Sequence, residues 1–197
     1  MKESFDITSQ GYTENDIWQL LKKGSLESLS LLVYRYYDDL FRYGCGLCEK
    51  VTLVEDLIQD LFCDLWQKRA NLGDVSLVKP YLFISLRRRI FRQLKSERKV
   101  TGFDNSSTEF NFEVEFSPED LMIKKQDKEK LSVLVNSYMN QLSPRQKEAI
   151  YLRFYENLSY DEIAKVMNIT VPYLYLLIHK SVGKMRKMLF DHGVKGL

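Results

Sequence analysis

Apolar residues recur at helical spacing along most of this chain, and alternating β-branched runs are almost absent, so the pattern predicts an all-α protein. Residues 14 to 48 predict one or two helices, with Leu20, Leu21, Leu29, Leu32 and Val33 among their apolar positions. Lys23-Gly24 interrupts them and Ser25 is placed as an N-cap. A second unit spans 52 to 69 and opens at Thr52, three residues before Glu55, the spacing of a capping box. Leu57, Ile58, Leu61 and Leu65 form its inner stripe, which leaves Asp56, Gln59, Asp60 and Asp64 near one outer face. After the loop ANLGDVSLVK, Pro80 opens a helix that runs to about Arg98. Phe83, Leu86, Ile90 and Leu94 face its core, and Arg87, Arg88, Arg92 and Lys95 face outward.

The helical period lapses over 101 to 116, a polar, acidic and aromatic stretch that reads as a linker. Helix signals return at Ser117-Pro118-Glu119-Asp120: an N-cap serine, a proline at the first helical position and acids in the first turn. The expected architecture is two small helical domains, 14–99 and 117–190, joined by a flexible acidic linker over 100–116.

The second domain carries the sharpest local signal. Ser159 and Glu162 have capping-box spacing, and the short helix that follows turns Ile163, Ala164 and Met167 inward. Ala164 is small enough for another helix to cross closely. Asn168 tolerates the left-handed conformation that ends a helix before a sharp turn. Thr170 is placed to cap the next helix, with Pro172 in its first turn. There Leu174, Leu177, Ile178, Ser181 and Val182 face inward, leaving Tyr173, Tyr175, Leu176, His179 and Lys180 outward. Capping box, small residue, turn and amphipathic helix in this order read as a DNA-binding helix-turn-helix, whose second helix enters the major groove. Arg145, Lys147 and Arg153, upstream, are candidate phosphate contacts.

Composition changes the picture little, but charge distribution changes it a great deal. At 197 residues, with 45% hydrophobic and 28% charged residues, the chain describes a globular protein with room for real cores. The net charge of +2 hides two blocks. Between Lys79 and Lys99 stand eight basic residues and one acid, Glu97; between Thr101 and Asp120 stand six acids and no base. One segment is expected to meet a polyanion while the next avoids or imitates one. Three cysteines (Cys45, Cys48, Cys63) and two distant histidines supply neither a disulfide framework nor the ligands of a zinc site, so all three are read as buried helix cysteines. The aromatic cluster Tyr34, Tyr36, Tyr37, Phe41 and Tyr43 reads as packing, as do Trp18, Trp66, Met185 and Met188. There is no glycine-rich phosphate loop, no histidine paired with a nucleophile and no metal-spaced carboxylate cluster, so no enzyme activity, cofactor or metal is expected. No apolar run reaches ~20 residues and no signal sequence is apparent, which predicts a cytoplasmic protein.

Four segments then resemble one family in its own order. LLKKGSLESLSLLVYRYYDDLFRYG (20–44), VEDLIQDLFCDLWQKR (54–69), KPYLFISLRRRIFRQLKSER (79–98) and LSPRQKEAIYLRFYENLSYDEIAKVMNITVP (142–172) resemble regions 2 and 4 of extracytoplasmic-function (ECF) sigma factors. The resemblance implies a protein that binds core RNA polymerase and starts transcription at promoters. It places Asp56, Gln59 and Asp60 on the helix that grips the β′ clamp helices. It places Asn71, Lys79, Arg87, Arg88, Arg92 and Lys95 on the melted minus-ten strand. It assigns the duplex minus-thirty-five element to Arg145, Arg153, Thr170, Pro172, Tyr173, Tyr175, Leu176, His179 and Lys180. Further partners it implies are the β flap and an anti-sigma factor. The acids Glu109, Glu113 and Glu115 either imitate RNA phosphates in the polymerase or sit on a plain tether. The sequence departs from the family in having Arg88 and Arg92 where many relatives carry Asn and Asp, and Tyr175 and Leu177 where arginines are common. Two rival readings stand beside this one: a stand-alone helix-turn-helix regulator with an N-terminal sensing or dimerising domain, and an interaction protein that sequesters a partner.

Overall fold

The computed structural model describes residues 12–75, 77–101, 111–114 and 128–191; among them there are helices and turns and no strand. The helices are α1 (Glu14–Lys22), α2 (Leu26–Leu47), α3 (Val51–Gln67), α4 (Val78–Thr101), α5 (Lys128–Asn140), α6 (Pro144–Ile150), α7 (Tyr160–Met167) and α8 (Val171–Asp191). They divide into two compact units. The first holds residues 1–44 and 49–104; the second holds 105–197 together with Cys45–Cys48, the end of α2 and the residue after it.

In the first unit, Thr13 and Asp16 close a full capping box at the start of α1. Gly24 takes φ +91°, a left-handed conformation open to glycine at little cost, and the chain reverses there into α2. The Ser25 hydroxyl accepts from the Ser28 amide at 3.2 Å, so the expected N-cap forms. The cap expected at Thr52 does not. α3 begins one residue earlier, at Val51, after Lys50, and has no side-chain cap. Leu32, Tyr36, Leu40 and Tyr43 of α2, Val54, Ile58 and Leu61 of α3 and Leu82, Phe83, Leu86 and Ile90 of α4 are all buried and form the core, with the Tyr43 ring 4.9 Å from that of Phe83. Gly44 allows the closest approach: a β-carbon there would lie 2.5 Å from Val54 Cγ1. Tyr36 donates to Glu14, and burial, with that carboxylate beside it, pushes its phenol well above the usual range. Of the aromatic cluster read as packing, Tyr36 and Tyr43 are buried, Tyr37 and Phe41 are stacked half-buried, and Tyr34 is 83% exposed. Of the cysteines, Cys48 is buried just past α2 and Cys45 half-buried, but Cys63 is exposed on α3, against expectation.

The second unit is built on Tyr138, Met139, Leu142, Ala149, Ile150, Tyr151, Leu152, Ile163, Leu174 and Ile178. After α6 the backbone widens into a π turn over Tyr151–Tyr155, and Asn157 takes φ +56° before the chain enters α7. The turn swings Tyr151 inward, where its hydroxyl donates to the buried Glu156 carboxylate at 2.6 Å. Residues 111–114, expected as part of a flexible tether, are anchored within this unit. Phe112 is fully buried, with its ring 5.6 Å from that of Tyr151, and the Glu113 amide donates to the Gly46 carbonyl at 2.9 Å. The expected restart at Ser117-Pro118, and Glu109 and Glu115, lie outside the described residues.

Candidate nucleic-acid interface

The basic block on α4 is not one uniform face. Leu82, Phe83, Leu86 and Ile90 are buried, and Leu94 is half-buried, which fixes the helix rotation. Arg88, Arg92 and Lys95 are then exposed at i, i+4 and i+7, one stripe along the helix. Their neighbours are engaged within the fold. Arg89 Nη2 donates to Asp64 Oδ2 of α3, and this bond holds the Asp64 carboxyl below the usual carboxylate range. Lys79 Nζ lies 3.1 Å from Asp39 Oδ2 of α2, and the Arg87 guanidinium lies 4.6 Å above the Phe91 ring.

The loop before α4 is tied down. Trp18 Nε1 donates to the Gly73 carbonyl at 3.1 Å, and Lys22 and Gln19 both donate to Asp74 Oδ1, at 2.6 and 3.0 Å. Lys22 keeps the Asp74 carboxyl low. Trp18 also meets Tyr81 edge to face at 5.3 Å, an aromatic pair beside the loop that the sequence pattern did not single out. Asn71 is exposed and closes the 3₁₀ turn Arg69–Asn71 where the loop begins. A loop segment tethered at Gly73 and Asp74 loses less freedom when its edge meets a polyanion.

On α3, Asp56, Gln59 and Asp60 are all exposed, whereas Asp64 is turned to Arg89 and to Lys68, 3.3 Å away. The acidic face is therefore one residue shorter than the spacing predicts. Beside it an apolar groove of about 450 Å³ runs between α2 and α3, floored by Leu29, Val33, Tyr37, Ile58 and Phe62, with Gln59 at its edge.

The helix-turn-helix of the second unit forms with the expected local chemistry. The Glu162 amide donates to Ser159 Oγ at 3.4 Å and the Ser159 amide to Glu162 Oε2 at 2.6 Å. Asn168 adopts φ 53°, ψ 54°, the left-handed conformation that ends α7. Thr170 sits one residue before α8, and its carbonyl accepts from the Leu174 amide at 3.0 Å. On α8, Leu174, Ile178 and Ser181 are buried and Leu177 is half-buried. Val182, expected inward, is exposed, about 100° around the helix from the buried Ser181. Thr170, Pro172, Tyr173, Tyr175, Leu176, His179 and Lys180 are all exposed, as is Arg145 on α6.

Two upstream cations sit differently from the phosphate contacts expected. Lys147 is buried, with its ammonium 4.0 Å from Glu113 Oε1. Arg153 is half-buried: Nη1 donates to the Leu158 carbonyl at 2.9 Å and the guanidinium lies 5.2 Å over the Tyr160 ring. Tyr160 in turn stacks on Tyr175, with ring centroids 4.1 Å apart and planes 7° from parallel. Among the described residues no His, Cys, Asp and Glu side chains gather as a metal site, and no helix is long and apolar enough to cross a membrane.

Comparison with known proteins follows the same division. Residues 32–100 match the family model for sigma-70 region 2, and residues 132–188 match that for sigma-70 region 4. SigM of Bacillus subtilis (strain 168), an ECF RNA polymerase sigma factor, is 26% identical over 161 residues, covering 81% of this chain and 93% of SigM. Two solved structures are similar in fold. RpoE of Bartonella quintana, in complex with the anti-sigma factor NepR, is 21% identical, with TM-score 0.58 over 83% of this chain and 98% of that one. CnrH, in complex with the cytosolic domain of CnrY, is 18% identical, with TM-score 0.56 over 90% of this chain and 97% of that one.

Proposed function

We propose, for a chain that belongs to the sigma-70 family and within it to the ECF type, a division of labour among three surfaces. Membership implies binding to RNA polymerase and promoter-directed initiation of transcription. Within that function, Asp56, Gln59 and Asp60 of α3 grip the β′ clamp helices; an Asp/Gln face suits the arginines of a partner helix, which donate charge-assisted hydrogen bonds. The stripe Arg88, Arg92 and Lys95 of α4, with Asn71 and the anchored loop, holds the melted minus-ten strand. Cations that track phosphates and loop side chains that catch unstacked bases are the usual means of holding single strands. α8 enters the major groove of the minus-thirty-five duplex, with Arg145 on α6 toward the phosphates. An anti-sigma partner belongs to this reading by analogy with the Bartonella complex, and the β flap by analogy with the family.

The observation that carries the proposal is the exposed stripe on α4. Among the described residues Arg88, Arg92 and Lys95 make no salt bridge, although carboxylates hold Lys79 and Arg89 nearby. The test is reconstitution. Purified protein with core polymerase should start transcription at specific promoters, and Asp56→Arg should abolish core binding while helix content and melting temperature stay unchanged. Protein that binds duplex DNA unaided, as a dimer on two half-sites one helical turn apart, would instead be a stand-alone regulator. An empty pull-down with core polymerase would overturn the proposal.

A further inference from the structure

The surface that α8 offers to DNA is chemically unusual. Its first exposed positions, Pro172, Tyr173, Tyr175 and Leu176, carry no guanidinium or ammonium; His179 follows, and the first ammonium is one turn further on, at Lys180. Bidentate readout of guanine O6 and N7 requires arginine or lysine, and this tip cannot supply it. What it supplies is apolar and aromatic surface, the complement of the thymine 5-methyl group in the major groove.

That surface is also held in place. Tyr175 is 54% exposed, yet one face of its ring lies flat on Tyr160, the first residue of α7. The Arg153 guanidinium lies 5.2 Å over the Tyr160 ring, and its own hydrogen bond to the Leu158 carbonyl fixes the turn leading into α7. Three layers from three elements thus form a column: guanidinium, phenol, phenol. A tyrosine already immobilised loses little side-chain entropy when DNA arrives, so its contacts count more fully toward discrimination. A guanidinium spent on a carbonyl and a ring is poorly placed to seek a phosphate, which makes Arg153 a positioning residue.

We infer that Tyr175, pinned by the Tyr160–Arg153 column and flanked by Tyr173 and Leu176, is the specificity-determining residue of α8, and that the duplex element is read through thymine methyl groups. The inference rests on α8 engaging duplex promoter DNA, as proposed above. Tyr160 acts through Tyr175 and touches no base.

The test uses holoenzyme assembled from the full chain and core polymerase, with promoters whose upstream duplex element is randomised and selected by open-complex formation. Selected elements should be thymine-rich on one strand opposite the tip of α8. Replacing those thymines singly by deoxyuridine removes only the methyl group. Each contacted position should lose about fourfold in affinity, the value of one buried methyl-sized group. Tyr175→Ala should erase the thymine-to-uracil difference. Tyr160→Ala should erase it too, with non-specific DNA binding and the melting temperature little changed, and Tyr160→Phe, which keeps the stack, should restore it. A merely structural stack would move the melting temperature and leave the thymine-to-uracil ratio alone. Wild-type holoenzyme indifferent to deoxyuridine at every position, or selecting guanines that Tyr175→Ala leaves unchanged, overturns the inference while the proposed function stands. Initiation indifferent to the whole upstream duplex overturns both.

Discussion

Adjacent arginines on α4 should behave differently when removed, and the difference can be worked out in advance. Arg88 and Arg92 are exposed on the stripe proposed to track phosphates; Arg89, between them in sequence, has a side chain 17% exposed and bonded to Asp64. Each phosphate neutralised on a single strand contributes about −0.7 to the slope of log K against log salt. Removing one contact therefore takes about 2.5-fold out of the affinity change between 50 and 200 mM salt, and removing two takes out about sevenfold. Arg89→Ala should leave the slope intact and reduce stability instead, by about 1 kcal/mol or less, because Asp64 keeps water and Lys68 as partners. Its acid response adds a sign. Asp64 is held below its unfolded pKa chiefly by the bond from Arg89, so the linked stability is present above the ordinary carboxylate range and lost as pH falls through the lower folded value. The stability gap between wild type and Arg89→Ala should accordingly shrink below about pH 4. The assay is fluorescence anisotropy of a promoter fragment with an unpaired stretch, bound by holoenzyme at saturating core polymerase, repeated across salt. An Arg89→Ala slope that falls as far as that of Arg88→Ala, or an Arg88→Ala/Arg92→Ala double variant with the wild-type slope, refutes the reasoning.

Two further outcomes test the packing that presents these faces. Gly44→Ala puts a β-carbon 2.5 Å from Val54 Cγ1, on a β-branched side chain with little rotamer freedom, and should cost about 1–3 kcal/mol in thermal or urea unfolding; a neutral substitution would mean that α2 and α3 pack more loosely than described. Phe112→Ala empties a fully buried ring site beside Tyr151 and should cost about 3–5 kcal/mol, with faster proteolysis at residues 111–114; a loss under ~1 kcal/mol would show that the segment is not anchored.

Elements whose signal is local were legible in the sequence. The Ser159–Glu162 box, the left-handed Asn168 and the helical period of α3, α4 and α8 depend on neighbours a few residues away, so one chain carries all the information they need. The sequence was silent on what holds Phe112. Phe110, Phe112, Val114 and Phe116 alternate with polar residues, a two-residue period that marks no helix face, and the socket of Phe112 is made by Tyr151 and Gly46, distant in sequence. The π turn at Tyr151–Tyr155 was equally silent, since inserting one extra residue into a helical turn leaves no composition mark. Tyr34 is a different case: Leu32, Tyr36, Leu40 and Tyr43 fall on one stripe, and Tyr34 stands about 200° from its neighbours Leu32 and Tyr36 on the helix. The period pointed outward; the density of aromatics concealed it.

The candidate site shows why a charge count is a poor measure of an electrostatic surface. Eight basic residues between Lys79 and Lys99 suggest one broad cationic face. Periodicity says which way a side chain leaves its helix but not what waits there, and three of the eight leave toward partners: Lys79 to Asp39, Arg89 to Asp64, Arg87 to Phe91. What remains exposed and described is narrow, Arg88, Arg92 and Lys95 in one line. The same logic works in reverse on α8. A tip without arginine looks at first too weak to read DNA, until Arg153 is found behind it, spent on holding Tyr160 and through it Tyr175. On α4 pairing inside the fold subtracts cations from the surface and sharpens a line of three; behind α8 it converts a cation into the brace of an aromatic reader.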